Sequence, residues 1–493
     1  MNNKGLNLKI WRWHFYAGLF VLPFMLILAL TGLAMLLNPQ LEQWQFGQWL
    51  SVSHQPGQQQ APASRQLAAV MQAFPHASME QYLPPKDADS SARVHTGDNS
   101  GARNSAANRI VFVDPYKAEV LGSVALNDTW YAIADDIHGT LLAGWFGDAL
   151  IEAAAGLSIF LLISGVYLHW PRTASGSLWK LPLTSLKKRF QWRQLHGALG
   201  LWLSIILLFF AVSGLAWTGV WGQKIVQPWS SFPAEKSPRF WLQRKAVDPH
   251  AEHNQSNAED TASVTTASLN TGNLNEVSWA VELMPLPHSA EMHAHSHDTG
   301  SAQVFGINEA LASGKALGMD YFRVSLPRGK NGVYSLIAST MSGDIRNPLA
   351  DRTVHLDRNS GAVLADIGWN NYNLMAKSMT AGIALHKGLA GAVNLWANII
   401  ACLLLMLMSL AGLVLWFKRR PALKTSKRRG LSRPPQSARP LNWGWRLTLL
   451  GCAVLFPLSG VALLAFAVFD YVLNKRPQPA DNLISEVTAT ESR

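Results

Sequence analysis

The chain has 493 residues, 48% of them hydrophobic, with 20 Trp, 2 Cys and a formal net charge of +11. That length supports several domains. Both cysteines, Cys402 and Cys452, fall in apolar runs, which excludes a disulfide-stapled framework. The basic residues flank such runs, so the charge orients the chain in a membrane and does not mark a nucleic-acid partner.

Apolar runs of roughly twenty residues are predicted to span a bilayer. They lie at about 15–37, 149–170, 195–219, 389–417 and 443–472. The first, with its tail from residue 1, is too long and too poorly flanked for a cleaved signal peptide and reads as a retained anchor. Segment 171–193 carries six Lys/Arg and no acid, and segment 418–441 carries nine and no acid. The N-terminal tail adds Lys4, Lys9 and Arg12. Positive charge collects on the cytoplasmic side, so the N-terminus and the linkers 171–194 and 418–442 are expected inside. Segments 38–148 and 220–388 and the tail 473–493 are expected outside, in the periplasm bounded by a bacterial inner membrane.

The chain also repeats itself. WRWHFYAGLFVLPFMLILALTGLAML (11–36) and WRQLHGALGLWLSIILLFFAVSGLAW (192–217) share one grammar. In each, His is followed by Gly four residues on and by [Thr/Ser]-Gly-Leu starting seventeen on: His14, Gly18 and Thr31-Gly32-Leu33; His196, Gly200 and Ser213-Gly214-Leu215. The outer segments end alike, in VFVDPYKAEVLG with Asp114 and TVHLDRNSGAVLA with Asp357, each an alternating pattern broken by a turn cluster. A histidine follows each hairpin, His138 in DIHGTL and His386 in ALHKGL. The next spans close as SGVYLHWPR (Gly165) and AGLVLWFKRR (Gly412). The expected fold is an α-helical membrane bundle of five transmembrane helices. It is built from a duplicated helix–outer domain–helix unit with two periplasmic α+β domains. A stretch at about 245–300, rich in Ser, Thr, Asn, Ala and His, is a low-complexity insert.

Four histidines obey the duplication, His14 and His196 at the inner ends and His138 and His386 at the outer ends. Paired positions in paired repeats suggest a shared object at each membrane level. Haem b suits that object, being flat and apolar with an iron that takes an imidazole from either side. Two haems are expected. Gly18 and Gly200 lie one turn from their histidines on the same face. Gly32 and Gly214 return to that face after eighteen residues, ~27 Å further along. These glycines either let a macrocycle lie against the backbone or serve close helix packing. Arg12 and Arg193 either pair with haem propionates or anchor the inner face. His169 either replaces an inner ligand or sits at the interface, with Trp416 at the corresponding place. His288, His293, His295 and His297 form either a metal-capturing cluster or a solvated loop.

These pieces resemble the PepSY-associated transmembrane family, which includes iron-regulated inner-membrane proteins and ferric-siderophore reductases. The resemblance is carried by Arg12-Trp13-His14 with Gly18, Arg193 with His196-Gly197 and Gly200, the [Thr/Ser]-Gly-Leu triplets and VDPYKAEVLG as a PepSY-like hairpin. It covers roughly 10–420. It implies PepSY-like outer domains, haem histidines at His14, His138, His196 and His386, and electrons passed outward to a ferric siderophore or other ferric chelate. Ala118 stands where the first hairpin turn usually has glycine. The fifth span and the His-rich insert fall outside the pattern.

The expected activity is that of a haem-dependent ferric-chelate reductase releasing Fe(II) for iron uptake, with no side chain acting as acid or base. No Gly-x-Gly-x-x-Gly follows a strand, so the electron donor is quinol or a separate flavin or nicotinamide protein. Trp130, Tyr131, Trp145 and Trp369 either line the chelate site or form an interfacial belt. The rivals are a non-redox permease subunit or peptide- or protease-binding regulator, and a quinol-oxidising cytochrome b subunit of a larger complex.

Overall fold

The computed structural model describes residues 4–98, 107–170, 186–230, 264–271, 276–289, 305–329, 331–419 and 441–475. The first half runs α1 (Lys4–Leu36), α2 (Asn38–Leu50), α3 (Ala63–Ala73), β1 (Ser78–Leu83), β2 (Ala92–Gly97), β3 (Arg109–Asp114), β4 (Glu119–Ala125), α4 (Trp130–Thr140) and α5 (Gly144–His169). The second runs α6 (Arg189–Leu215), α7 (Gln227–Ser230), α8 (Ile307–Ala316), β5 (Arg323–Ser325), β6 (Tyr334–Ala338), β7 (Arg352–Leu356), β8 (Val363–Gly368), α9 (Leu374–His386) and α10 (Ala392–Arg419). The chain then adds α11 (Trp443–Leu455) and α12 (Pro457–Lys475). Among the described residues, four helices are long and apolar enough to cross a membrane: α1, α5, α6 and α10.

The chain divides into two compact units. One comprises Met1–Met25, Ala149–Val212 and Leu407–Arg493. In it α11 and α12 pack on α1 and α5: Trp445, Cys452 and Leu463 are buried with Ile10, Ala17, Leu157 and Phe160.

The expected fifth span at 443–472 is corrected here, because it is two helices. Pro457 disfavours helical backbone in the residue before it, and Phe456 leaves the helix at φ −127°, ψ 83°. At the break Ser459 Oγ donates to the Ala153 carbonyl at 3.0 Å. Gly156 makes the room, since a Cβ there would meet Ser459 and Phe456. The thirteen residues of α11 rise only ~20 Å, short of the hydrocarbon core.

α12 then turns back along α1. Phe466 meets Phe20 at 6.0 Å, Phe469 meets Tyr16 at 6.2 Å, and the Tyr16 hydroxyl donates to Asp470 at 3.0 Å. Arg12 forms an ion pair with Asp470. At the other end of the pair, Trp445 of α11 packs on Tyr167 at 5.1 Å, and Tyr167 in turn bonds Asn7 at the start of α1. Both ends of the α11–α12 pair therefore lie by the N-terminal end of α1. The outer end expected for the chain after residue 472 is corrected as far as the chain is described, because Asp470 lies beside Arg12.

The second unit comprises Leu26–Asp148 and Ser213–Met406. Its centre is one eight-stranded antiparallel sheet in the order β4-β3-β2-β1-β5-β6-β7-β8. Two separate α+β domains were expected; each half does supply four strands, but β1 and β5 join them, pairing Gln81 with Ser325 and Tyr82 with Val324. The halves match in detail. Each end hairpin slips register at the same place, between Phe112 and Val113 and between His355 and Leu356. Asp114 Oδ1 accepts from the Tyr116 and Lys117 amides, and Asp357 Oδ1 from those of Asn359 and Ser360. Gly361 closes the second turn at φ +69°, and Ala118 takes the same left-handed backbone at φ +55°. The first turn thus keeps its shape without the glycine, at a strain of roughly 1 kcal/mol.

Strand alternation sorts the two faces. Tyr82, Val94, Val111, Val324, Leu336 and Val354 pack under α3 and α8. The other face carries Gln81, His95, Arg323, Ser335 and His355, all buried. At the seam between halves Arg323, 3% exposed, donates to Glu276 at 2.5 Å, to Gln81 at 3.0 Å and to both Asp344 oxygens at 2.7 and 2.8 Å. Burying these charges is tolerated because each has a partner; removing one strands the others.

Two predictions follow from this face. Arg323→Met should destabilise the sheet unit by about 3–5 kcal/mol, read by chemical unfolding. His95 and His355 are both depressed to about 4, burial being the main cause. Their neutral forms carry full stability above the unfolded value of 6.5, and it is lost as pH falls from there toward 4. At pH 5 the loss should be about 2 kcal/mol per histidine. An unfolding midpoint unchanged between pH 7 and pH 5 contradicts this.

Candidate haem-binding sites

Within the first unit His14 of α1 and His196 of α6 form a pair. Their ring centroids lie 6.5 Å apart and their planes cross at 85°. Two imidazoles on opposite sides of one metal, each bonded through a nitrogen at ~2 Å, put their centroids roughly 6 Å apart. The observed spacing fits that arrangement. His14 Nδ1 lies 2.8 Å from Ser164 Oγ, and the Ser164 hydroxyl donates to the Phe160 carbonyl at 2.8 Å. With its proton so directed, the hydroxyl offers a lone pair, and Nδ1–H donates to it. That tautomer leaves Nε2 with a lone pair able to coordinate a metal. His196 Nδ1 lies 2.9 Å from the Met408 carbonyl, which only accepts, so the same tautomer follows.

The second unit repeats the device. His138 stands in the last turn of α4, whose N-cap Thr129 accepts from the Ala132 amide. His386 ends α9, whose N-cap Asn373 accepts from the Ala376 amide. His138 Nδ1 lies 2.8 Å from Thr31 Oγ1, which donates to the Ile27 carbonyl at 2.8 Å. His386 Nδ1 lies 2.7 Å from Ser213 Oγ. Burial depresses His138 to about 4. Burial, then the charges of His138 and Lys387, depress His386 to about 3. Both are therefore neutral at pH 7, the form a metal requires.

A glycine faces each ring. A Cβ on Gly165 would lie 3.2 Å from His14 Cε1, on Gly412 3.3 Å from His196 Cε1, on Gly32 3.5 Å from His138 Cε1, and on Gly214 3.8 Å from His386 Cε1. Gly32 and Gly214 thus face imidazole edges, where the sequence left them to a macrocycle or to close helix packing. Ser164, Gly165, Met408 and Gly412 were missed as site residues altogether. The readable signal was a small polar residue before glycine, in Thr31-Gly32, Ser164-Gly165 and Ser213-Gly214, with Ala411-Gly412 as its fourth form. Gly18 and Gly200 face Leu161 and Met408 side chains at 3.9 and 3.6 Å.

The remaining candidates fall elsewhere. Arg12 is engaged by Asp470 and lies over the Tyr16 ring at 5.7 Å. Arg193 is exposed and lies over Phe190. His169 is set against Gly197, whose Cβ would meet its ring, so it is not the partner that faces His14. Trp145, Tyr131 and Trp369 have separate neighbours in Phe146, Lys387 and Lys377, and Trp130 is half-exposed. His288 is exposed; His293, His295 and His297 lie outside the described residues. Among the described residues no cluster of three or more His, Cys, Asp or Glu is placed to hold a metal ion.

A family model described as the PepSY-associated TM region matches residues 11–419. The chain belongs to that family. The match takes in all four paired histidines and ends before α11 and α12. A search of curated proteins returns no match.

Proposed function

We propose that this chain is a di-haem b oxidoreductase of the bacterial inner membrane that delivers electrons to a ferric siderophore or other ferric chelate in the periplasm. The observation that carries the reading is the His14–His196 pair, spaced 6.5 Å apart with both Nδ1 atoms tied back. His14 and His196 would hold the inner haem, and His138 and His386 the outer. Bound there, haem supplies one-electron transfer, which no side chain of the chain can perform.

The residues' own work is to position and to insulate. Ser164, Thr31 and the Met408 carbonyl fix the tautomer and orientation of their imidazoles, and Ser213 holds the ring of His386 in place. The glycines let the rings sit hard against neighbouring helices. Orientation follows charge. The Lys/Arg-rich linkers and N-terminal tail take the cytoplasmic side, the sheet unit takes the periplasmic side, and α11–α12 enters and leaves on the cytoplasmic side. The donor is quinol or a cytoplasmic flavin or nicotinamide protein. Release of iron as Fe(II) follows from the weaker hold of hard oxygen ligands on the reduced ion.

A dithionite-reduced minus oxidised spectrum of the purified, haem-replete protein should show a b-type band, and mixing the reduced protein with a ferric chelate should discharge it. His14→Ala or His196→Ala should remove about half of the haem, and His138→Ala or His386→Ala the other half together with chelate reduction. Gly165→Leu should act like His14→Ala, because its side chain takes the space of the ring. A folded protein with no such band sinks the proposal and favours the non-redox permease or regulator. A band that ferric chelates leave untouched favours a quinol-oxidising cytochrome subunit.

A further inference from the structure

The four imidazole seats are not identical. Three offer a hydroxyl: Ser164 to His14, Thr31 to His138 and Ser213 to His386. The fourth has Ala411 where the others have Ser or Thr, and His196 takes the Met408 carbonyl instead. Ala411 and Ser164 are both fully buried and Thr31 is 8% exposed, so bulk water does not compete for these bonds.

We infer that Ser164 and Thr31 are positioning residues that set the electron affinity of the sites, and that Ala411 makes the two inner ligands unequal. The inference rests on the haem reading above. Its physical basis is the direction of the proton. A hydroxyl that back-bonds to the carbonyl four residues earlier, as in Ser164→Phe160 and Thr31→Ile27, can only accept from the imidazole. Accepting the Nδ1 proton pushes charge onto the ring and strengthens Nε2 as a donor, which favours the oxidised metal. Loss of the hydroxyl therefore weakens the ligand and raises the midpoint potential of that site alone. A merely structural serine or threonine would alter stability without singling out one potential.

The test is a redox titration of the purified full-length haem-loaded protein, followed by its b-type band, together with haem content and low-temperature spectra. Thr31→Val should raise the outer midpoint and Ser164→Ala the inner one. Each tenfold weakening of the preference for the oxidised state is about 59 mV for one electron. Thr31→Ser should restore the parent value, and haem affinity should fall roughly tenfold without the hydroxyl. Ala411→Ser, which offers the His196 Nδ1–H a hydroxyl in place of the Met408 carbonyl, should move the inner midpoint and leave the outer one in place. If Thr31→Val does not fold, Ser164→Ala and Ala411→Ser decide. Coincidence of parent, Thr31→Val and Ser164→Ala in midpoint and spectrum overturns the inference while leaving the haem reading intact. A parent without a b-type band overturns that reading itself.

Discussion

Everything in the two candidate sites depends on one short hydrogen bond, from an imidazole Nδ1 to an oxygen on the neighbouring helix. An imidazole away from water must be neutral, and a neutral imidazole has one donor and one acceptor nitrogen. An oxygen that can only accept settles which is which. Ser164 and Thr31 become such oxygens because their protons are spent on helix carbonyls, and Met408 offers a carbonyl outright. The bond also needs the ring to come within reach of the helix surface, and even a Cβ at Gly165 or Gly412 would crowd it. The hydroxyl and the glycine are thus two halves of one seat, with packing supplying the approach and polarity supplying the tautomer.

The duplication spreads that seat over four places and gives the sheet its palindromic order. β1 and β5 are the matching strands of the two halves, and they close on one another at the centre. An exposed edge strand invites pairing with another chain. Here each half satisfies the other's edge, and the seam is marked by the ion-paired Arg323 reaching across to Gln81. Both β1–β5 pairing and Arg323 join residues more than two hundred positions apart, so no local pattern announces them. The hairpins were legible because Asp114 and Asp357 act within their own turns. The histidines were legible because the repeat fixed their register with the spans.

What sequence reasoning lost, it lost to partners it could not see. Residues 443–472 are apolar throughout and read as one span; the Phe456–Pro457 junction was the available warning. An unbroken helix over those residues would have carried Asp470 across the membrane. Folding back brings it to Arg12 instead, an arginine given over to propionates or anchoring. The [Thr/Ser]-Gly-Leu triplets stood out as a repeat, but the bonds of Thr31 and Ser213 to His138 and His386 join residues more than a hundred positions apart.

The sheet also explains how the outer histidines can meet at all. α4 follows β4 and α9 follows β8, the two opposite edges of an eight-stranded sheet. Seven strand spacings put those edges roughly 34 Å apart. The helices have 11 and 13 residues, about 16 and 20 Å of rise, and each carries its histidine in the last turn. Their combined rise is comparable to that width, and His138 lies close enough to His386 for its charge to act on it. His138 and His386 are therefore placed by the two edges of the sheet, through the helices that follow β4 and β8.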